Sequence, residues 1–302
     1  MGIDEFDVIV IGGSYAGLSA ATQLARARRR VLVIDAGQRR NRYASHSHGF
    51  LGQDGREGAA IAADGRAQLM KYSTVTWREG LATQAVQHDG GFRVTVSDGS
   101  AVHAQRLVLA TGMADELPSI PGLAERWGSS VFHCPYCHGY ELNQGRIGVL
   151  ATGPHSWHHA MMLPDWGQVT FFLNGAFEPD EEQLVKLAAR GVTIERTRVQ
   201  AVSGTATVTL TDGRALLLDG LFVLSRLHSA SPLGELLGCE MEDGPMGRYL
   251  RTDMMKATSV AGVYACGDAA RMAGSVAFAV ADGAMAGAAA HQSLVFGLPV
   301  AA

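Results

Sequence analysis

The sequence contains few proline, cysteine and aromatic residues, and it lacks a long hydrophobic run. Of its 302 residues, 9 are Pro, 4 are Cys and 7% are aromatic. Four cysteines in a chain of this length do not form the disulfide framework of a small secreted domain. The most apolar late stretch, 275–290, is interrupted by Asp282. It therefore predicts a buried helix and not a membrane span.

An excess of positive charge is also absent. The chain has 25 Lys and Arg against 29 Asp and Glu, for a net charge of −4. Without a broad basic face, neither nucleic acid nor an anionic membrane is an expected partner. The first residues place two acids before a short apolar run, unlike the basic-then-apolar order of a secretory signal. We therefore expect a cytoplasmic protein that acts on a small molecule or on a neutral to acidic protein.

Glycine, by contrast, is abundant, and the 37 glycines cluster in short turns. A length of 302 residues fits two domains of about 100 to 200 residues each. A strand, a glycine turn, a periodic helix and a second strand form a βαβ unit near the start, and the pattern returns after Pro118 and Pro121. The predicted fold class is α/β with two Rossmann-like domains. The strands and helices of the two units are predicted at 7–11, 15–27, 31–34, 147–151, 155–163 and 169–173.

The glycine turn of the first unit has the position of a dinucleotide-binding turn. It lies between a strand and a helix, where backbone N–H groups and the helix dipole face a pyrophosphate. Ser14 replaces the middle glycine of the usual pattern, and its small side chain requires a modest adjustment. Asp35 ends the second strand, 18 residues after Gly17, where a carboxylate accepts hydrogen bonds from a ribose. The candidate turn residues are Gly12, Ser14, Tyr15, Ala16 and Gly17.

Two later strand ends complete this pattern. Ala110, Thr111 and Gly112 follow one apolar strand. Gly267 and Asp268 follow another and lead toward a helix, which places the Asp268 carboxylate to accept a hydrogen bond from a ribityl hydroxyl. Together with the first turn, these segments form the outline of an FAD domain that is split by an insertion.

Cys134 and Cys137 have the CxxC spacing, which lets two sulfurs form a disulfide or share a metal ion. His133 and His138 could complete a zinc set, but the chain has no second CxxC. Redox use is preferred, because one thiol attacks a disulfide while its partner resolves the mixed disulfide. His138 directly follows the pair and can exchange a proton near neutral pH or stabilise a thiolate. Its alternative role is a turn histidine bonded to the backbone.

With these motifs in this order, the chain resembles the low-molecular-weight thioredoxin reductases over nearly its whole length. The amino-terminal glycine turn, the loop at 49–55 and the strand end at 110–112 match the family pattern. The CxxC inside the second domain, the Gly267–Asp268 segment and the helix at 279–287 follow in the same order.

This resemblance implies a specific organisation. The FAD domain would be discontinuous, at 1–113 and 245–302. A pyridine-nucleotide-type domain at 114–244, carrying the dithiol, would be inserted into it. The family is typically homodimeric. The resemblance also implies FAD contacts from Arg42, Gln53, Asp54, Val276 and Ala277.

The second βαβ turn departs from the family pattern. In the reductases it reads GxGxxA and is followed by arginines that bind the NADPH phosphate, whereas here 151–156 contains Pro154 and no arginine follows the next strand. Pro154 has no N–H for a pyrophosphate, and a 2′-phosphate would have no cation as partner. His155, His158 and His159 are expected on the surface of the helix. The sequence therefore argues against NADPH as a cofactor.

The segment after the dithiol departs as well, since the reductases have CxxCD and this chain has CxxCHGYE. That form is similar to the flavin-dependent dithiol oxidases that install disulfides in small natural products of the gliotoxin and holomycin type. By this resemblance, Cys134 engages a small-molecule dithiol, Cys137 faces the flavin and His138 transfers the protons. Molecular oxygen is inferred as the final acceptor because the nicotinamide site is missing.

Other interpretations stay open from the sequence. One is an NAD(P)H-dependent disulfide reductase of thioredoxin type, and another is a flavin-bearing redox sensor without turnover. A zinc-binding loop is the third, with no metal expected in the preferred interpretation. Another electron carrier could also replace oxygen. The substrate would be decided by the pocket near His46, His48 and the dithiol.

Overall fold

The computed structural model describes residues 5–298, which form two compact units. Within the described residues, the first unit contains 5–40, 59–114 and 227–298. The second unit contains 41–58 and 115–226. The chain therefore leaves the first unit twice, once for a short segment and once for a long one.

The strands and helices have the following bounds. The strands are β1 (Glu5–Ile11), β2 (Val31–Asp35), β3 (Val75–Glu79), β4 (Ala82–His88), β5 (Gly91–Val96), β6 (Ala101–Leu109), β7 (Met113–Glu116), β8 (Val131–Phe132), β9 (Arg146–Leu150), β10 (Gln168–Phe172), β11 (Thr193–Glu195), β12 (Val199–Ser203), β13 (Ala206–Leu210), β14 (Ala215–Leu218), β15 (Gly220–Val223), β16 (Arg226–Ser229), β17 (Met241–Gly244), β18 (Gly247–Leu250) and β19 (Val263–Ala265). The α-helices are α1 (Tyr15–Arg26), α2 (Gly58–Leu69), α3 (Pro135–His138), α4 (Ser156–Met162), α5 (Glu181–Ala189), α6 (Leu233–Leu236) and α7 (Val276–Phe296).

The first unit is built on a seven-stranded sheet in the order β3-β2-β1-β6-β5-β4, with β19 beside β6. The pairs among β3, β2, β1, β6 and β19 are parallel, and β4 and β5 pair antiparallel. Successive side chains of β1 point to opposite faces. Val8 and Val10 pack with residues of α1 and α7, whereas Ile9 and Ile11 pack with residues of β4, β5 and β6. The predicted β1-α1-β2 unit is confirmed.

Helices α1 and α7 pack closely because glycines lie at their contact. A Cβ atom at Gly283 would collide with the carbonyl oxygen of Ala16, and one at Gly287 with that of Ala20. The helix that was predicted from about Ser275 is confirmed, with the Ser275 hydroxyl accepting from the N–H of the first helical turn. Among residues 5–298, no helix is both long and apolar enough to cross a bilayer.

The second unit contains a five-stranded parallel sheet in the order β11-β10-β9-β15-β8. Helix α4 connects β9 to β10, so the predicted second βαβ unit is also confirmed. A separate antiparallel sheet has the order β12-β13-β14. Strands β13 and β14 form a hairpin around the Asp212-Gly213 turn.

A four-stranded sheet, β17-β18-β16-β7, was not predicted either. Each of its strands has at most one buried residue, so the sequence has no apolar alternation there. Strands β7 and β16 contain the positions at which the chain passes between the units. The domain boundaries at 113/114 and 244/245 stay predictions, because compactness alone does not say which residues hold a nucleotide.

Candidate active site

The two cysteines of the CxxC form a disulfide, with Cα atoms 5.3 Å apart. Strand β8 ends just before them, and Cys134 has an extended backbone as the N-cap of the one-turn helix α3. Pro135 takes the first helical position, where its missing N–H is not needed. One helical turn then brings residues i and i+3 to the Cα separation that a disulfide requires. The CxxC sequence thus folds directly into a redox-capable pair.

The disulfide is not sealed from solvent. Both cysteines are partly exposed, and Tyr136 between them is 73% exposed. The Tyr136 ring meets the edge of Trp166, with ring centroids 5.5 Å apart. The CxxC segment is therefore partly accessible to solvent. Among residues 5–298, no group of three or more His, Cys, Asp or Glu side chains has the geometry of a metal site.

His138 follows Cys137 and stacks on Phe132, with ring centroids 4.4 Å apart. The pKa of His138 is lowered to about 4, chiefly by burial, while Glu141 raises it and His48 lowers it. The imidazole is therefore neutral at pH 7 and can accept a proton. Its role in proton transfer stays a prediction.

His48 links the 41–58 segment to the dithiol segment. Its Nε2 lies 3.5 Å from Glu141 Oε1, and its Nδ1 lies 3.6 Å from Asp54 Oδ1. Sequence reasoning placed His48 near the pocket but did not find this pairing. The only signal was the acid at the end of CxxCHGYE, 93 residues away in the sequence.

The other residues predicted in this segment make local contacts. Arg42 Nη2 donates to the Tyr43 hydroxyl at 2.8 Å, and Gln53 Oε1 accepts from Arg56 Nη1 at 2.6 Å. The N–H of Gly49 donates to Asp54 Oδ1 at 2.8 Å. All of these residues lie in the second unit. Their FAD contacts stay predictions.

In the first unit, the glycine turn is a tight cradle. A Cβ at Gly12 would collide with the carbonyl of Ala110, and one at Gly17 with the carbonyl of Gly12. Gly12 also has a φ of +103°, which an L side chain rarely adopts. Ser14 is the N-cap of α1 at φ −88°, so a side chain fits there without strain. Ser14 therefore does not disrupt the turn.

The cradle fits a pyrophosphate with an adjacent ribose. Helix α1 begins at this turn, so the positive end of its dipole faces the cradle. Asp35 Oδ1 accepts from the N–H of Gly13 at 3.0 Å, which fixes the carboxylate beside the turn. Trp77 lies against the same glycine. These residues suit the adenosine diphosphate portion of FAD.

The other predicted strand ends lie at the same edge of the sheet. β1, β6 and β19 are parallel neighbours, so their carboxyl ends meet there. The N–H of Ala110 donates to Ile11 O at 2.8 Å, which places the 110–112 segment beside the first turn. Asp268 follows β19 and pairs with Arg40, at 2.9 Å between Nη1 and Oδ2. The predicted residues of this edge are Ala110, Thr111, Gly112, Gly267, Asp268, and, at the start of α7, Val276 and Ala277.

Sequence reasoning missed Arg40 as a member of this edge. The polar segment after Asp35 contains Arg39, Arg40 and Arg42, and the sequence alone does not distinguish them. A cation beside Asp268 is well placed for the negative charge of a pyrophosphate.

A buried charge supports the same region. Asp282 in α7 is 5% exposed and pairs with Lys256 at 2.8 Å and with Arg271 at 2.6 and 2.9 Å. Arg271 directly follows the turn that holds Asp268. The network therefore fastens that turn to α7.

The second glycine turn is built differently. A Cβ at Gly153 would meet nothing within 4 Å, so this turn is open where the first is tight. The N–H of Thr152 donates to Ser156 Oγ at 3.0 Å, and its hydroxyl donates to Leu224 O at 2.9 Å. The N–H of Ser156 donates to Gly153 O at 3.1 Å. The turn thus uses internally the donors that a phosphate would need.

One inference about this turn is wrong. No arginine directly follows β10, but two arginines from the chain before β12 lie near its end. The guanidinium of Arg198 is 3.0 Å from the position of a Cβ on Gly175, and Arg196 Nη2 lies 2.8 Å from Glu178 Oε1. A phosphate at this strand end would therefore have a cation nearby. The sequence does not reveal this cation, because Gly175 follows β10 whereas Arg198 precedes β12, and only the fold brings the two residues together.

The expectation for the α4 histidines is partly wrong. His155 and His158 are exposed, but His159 is 5% exposed. The pKa of His159 is lowered to about 3, chiefly by burial and also by His133 and His158. Its ring lies 6.0 Å from that of His133 between centroids. His159 faces the core because α4 turns one side toward the parallel sheet.

A glycine cradle that fits a pyrophosphate and a CxxC disulfide in the same chain are the features of a flavin-dependent disulfide oxidoreductase. The chain belongs to the pyridine nucleotide-disulphide oxidoreductase family, whose family model matches residues 6–288. It is a thioredoxin reductase-like flavoprotein with FAD as its cofactor. The resemblance seen in the sequence is therefore confirmed at this level.

Individual relatives cover nearly the whole chain. The thioredoxin reductase tcpT of Claviceps purpurea (strain 20.1) is 33% identical, over 96% of this chain and 94% of that protein. The crystal structure of an oxidoreductase from Agrobacterium tumefaciens has a TM-score of 0.95 at 58% identity, over 97% and 99% of the two chains. The crystal structure of HlmI has a TM-score of 0.88 at 36% identity, over 98% of this chain and 93% of that one.

Proposed function

We propose that this flavoprotein oxidises a small-molecule dithiol to a disulfide through Cys134 and Cys137, with molecular oxygen as the final electron acceptor. The observation that carries the proposal is the contrast between the two glycine turns. The first is a tight glycine turn at the amino end of α1, whereas the second uses N–H groups of Thr152 and Ser156 internally and contains Pro154. Such a chain is suited to take electrons from its substrate and not from a nicotinamide.

The dithiol step follows the rules of thiol–disulfide exchange. A substrate thiolate attacks Cys134 Sγ, the bond to Cys137 breaks, and Cys137 leaves as a thiolate. The second substrate thiolate attacks the substrate sulfur of the mixed disulfide, and Cys134 leaves. The substrate loses two electrons and two protons. The cysteine pair gains both electrons, and one proton is taken up by Cys134.

The second proton requires a base near Cys137. His138 is adjacent in sequence, is held by its stack on Phe132 and is neutral at pH 7 because its pKa is lowered to about 4. In this proposal it receives the proton that the Cys137 thiolate does not take, because the negative charge that forms on Cys137 favours the imidazolium. FAD, when bound, supplies the two-electron acceptor that returns the pair to the disulfide.

The FAD domain that we propose is 1–113 with 245–302, and the dithiol domain is 114–244. Gly12, Ser14, Tyr15, Ala16 and Gly17 would bind the pyrophosphate through backbone N–H groups. Asp35 would bind the ribose, and Asp268 the ribityl chain. Secondary contacts are assigned to Arg42, Gln53, Asp54, Ala110, Thr111, Gly112, Gly267, Val276 and Ala277.

A disulfide reductase that uses NADPH or NADH is the second candidate. Arg198 beside Gly175 favours it, since this cation lies at the strand end where a 2′-phosphate would be expected. The name of the relative tcpT, a thioredoxin reductase, favours it as well. A redox sensor without turnover is the third candidate. Homodimer formation and a cytoplasmic location stay predictions.

Anaerobic mixing distinguishes these candidates. The purified yellow holoenzyme is mixed with dithiothreitol, NADPH or NADH while the visible flavin absorption is recorded. Rapid bleaching by the dithiol alone, followed by recovery of colour and peroxide formation in air, supports the oxidase. Rapid bleaching by a nicotinamide excludes it in favour of a reductase. If neither the dithiol nor a nicotinamide bleaches the flavin, the redox sensor without turnover is the candidate that remains.

A further inference from the structure

We propose that Tyr136 and Tyr140 form an aromatic rim beside the disulfide, which selects dithiols that carry an uncharged planar ring. The inference deepens the proposed function and rests on it, because it concerns the substrate that reduces Cys134 and Cys137. The two tyrosines would be specificity-determining residues, and the exchange of sulfur bonds would not involve them.

The rim lies on the solvent side of the turn that carries the disulfide. The backbone of Gly139 is right-handed, at φ −67° and ψ −37°, so helix α3 continues into a further helical turn. Residues three or four positions apart are neighbours on such a surface. Tyr140 is therefore a neighbour of both Cys137 and Tyr136. Tyr136 is 73% exposed and Tyr140 is 84% exposed.

Trp166 supports the rim from the buried side of the turn. A Cβ atom at Gly139 would lie 2.8 Å from Trp166 Cγ, so the glycine lets the indole pack directly against the helical backbone. The rings of Tyr136 and Trp166 are perpendicular, with centroids 5.5 Å apart. This T-shaped contact is a favourable arrangement of two aromatic rings. It restrains Tyr136 while most of its surface stays open to solvent.

The surroundings of the rim favour an uncharged ligand. Residues 129–145 contain no Lys or Arg and a single acid, Glu141, whose Oε1 lies 3.5 Å from His48 Nε2. On the connection between α4 and β10, Asp165 is paired with Arg190 at 2.7 Å. A charged dithiol would lose water here without gaining an ion pair in return. A neutral ring does not have this cost.

The size of the rim fits a small molecule and not a protein dithiol. The Cβ atoms of residues i and i+4 are about 5–6 Å apart, which is close to the width of a single ring. A specific protein partner covers about 800 Å² on each side, whereas one tyrosine offers at most about 250 Å². We therefore assign the exposed faces of Tyr136 and Tyr140 to a ring of the substrate.

The test compares an aromatic with a linear dithiol, o-xylene-α,α′-dithiol and dithiothreitol, in anaerobic holoenzyme. Rapid quench and chromatography measure the disulfide product of a single turnover, so oxygen is not needed. Tyr136→Ala and Tyr140→Ala should each lower the ratio of the aromatic to the linear rate constant by about 5-fold. Tyr136→Phe keeps the ring and should keep the ratio. Tyr249→Ala, which changes a tyrosine on β18 of the first unit, is the control.

A second measurement needs no reaction at all. The unreactive o-xylene-α,α′-diol should show saturation transfer in NMR from the wild type and from Tyr136→Phe. The signal should be weaker with both alanine variants. A protein that binds the diol in this way but oxidises neither dithiol would remove the proposed function and leave the rim assigned.

Unchanged rate ratios in both alanine variants, an equal loss in Tyr136→Phe, or no saturation transfer in the wild type would overturn the inference. A larger loss of rate with reduced thioredoxin than with the aromatic dithiol would also overturn it and assign the rim to a protein. If an alanine variant does not fold, Tyr140→Leu takes its place, because leucine keeps an apolar side chain without the ring.

Discussion

The imidazole of His138 lies nearly parallel to the ring of Phe132, with 19° between the ring planes. Phe132 is itself 7% exposed and packs against Phe222, so the stack is anchored in the core of the second unit. The ring of Phe132 therefore connects the parallel sheet of the second unit to His138 in the dithiol segment. The group that we propose as proton acceptor is held by a surface that disfavours its charged form.

Phe132→Leu tests this dependence. The smaller side chain admits water to one face of His138, so its pKa should rise from about 4 toward its ordinary value, by about one unit. NMR titration of the His138 ring measures the change. Phe171→Leu, a buried Phe of the same core, is the control and should leave the titration unchanged. An unchanged His138 titration in Phe132→Leu would show that the stack does not set its proton affinity.

Acid should destabilise the protein before its carboxylates titrate. The pKa values of His138 and His159 are lowered to about 4 and about 3, so the unfolded chain binds protons from about pH 6.5 downward while the folded chain does not. Stability is therefore full above pH 6.5 and falls as the pH drops toward 4.

His159→Leu should remove part of this loss. Between pH 7 and pH 5, one such histidine accounts for about 2 kcal/mol of unfolding free energy. Urea unfolding at the two pH values should show a difference smaller by about that amount in the variant. His88→Leu, with a half-exposed histidine, should behave like the wild type. An undiminished pH effect in His159→Leu would mean that His159 is protonated in the folded state.

The two glycine turns predict opposite responses to alanine. Gly17→Ala should lose most bound flavin and lower the melting temperature, because the new Cβ collides with Gly12 O. Gly153→Ala should keep both properties, since its Cβ meets nothing within 4 Å. The ratio of visible to ultraviolet absorption and a thermal melt measure the outcome. Flavin loss of equal size in both variants would contradict the assignment of the cradle to the first turn.

Cys134→Ser and Cys137→Ser should each slow flavin reduction by a dithiol by at least about 100-fold, because neither variant can form the reactive disulfide. Cys239→Ser is the control, since Cys239 is a buried free thiol of the first unit that is hydrogen-bonded to Thr258. Anaerobic stopped-flow measurement of the flavin absorption gives the rates. Rapid bleaching of either active-site variant would show that the dithiol reduces flavin directly.

Asp282→Ala should destabilise the first unit by about 3 kcal/mol, because it leaves Lys256 and Arg271 without their buried anion. The turn that holds Asp268 should loosen, so flavin should also dissociate more readily. Chemical unfolding and flavin release on dilution measure the two effects. Asp243→Ala, which removes an exposed partner of Arg248, should change neither.

The sequence predicted those parts of the molecule whose signals are local. The β1-α1-β2 unit follows from a continuous apolar strand and a glycine turn. The CxxC spacing alone brings Cys134 and Cys137 to the separation that a disulfide requires. Strands β7, β16, β17 and β18 have no periodic apolar pattern, so they escaped prediction. The His48–Glu141 pair and the approach of Arg198 to Gly175 escaped for another reason. Each joins residues from separate elements, and only the packing of sheets and loops decides which of them meet.

The contact of α1 with α7 also has a consequence for how the protein is made. The phosphate cradle is encoded near residue 12, but β19 and α7, which complete its sheet and cover its helix, are encoded after residue 262. Ribosomes release the amino-terminal part first, so β1 and α1 cannot complete their packing until β19 and α7 have been synthesised. Residues 115–226 can meanwhile reach their native pairing. The protein should therefore acquire flavin only at the end of synthesis, and premature termination should yield chains with a formed dithiol segment but no colour.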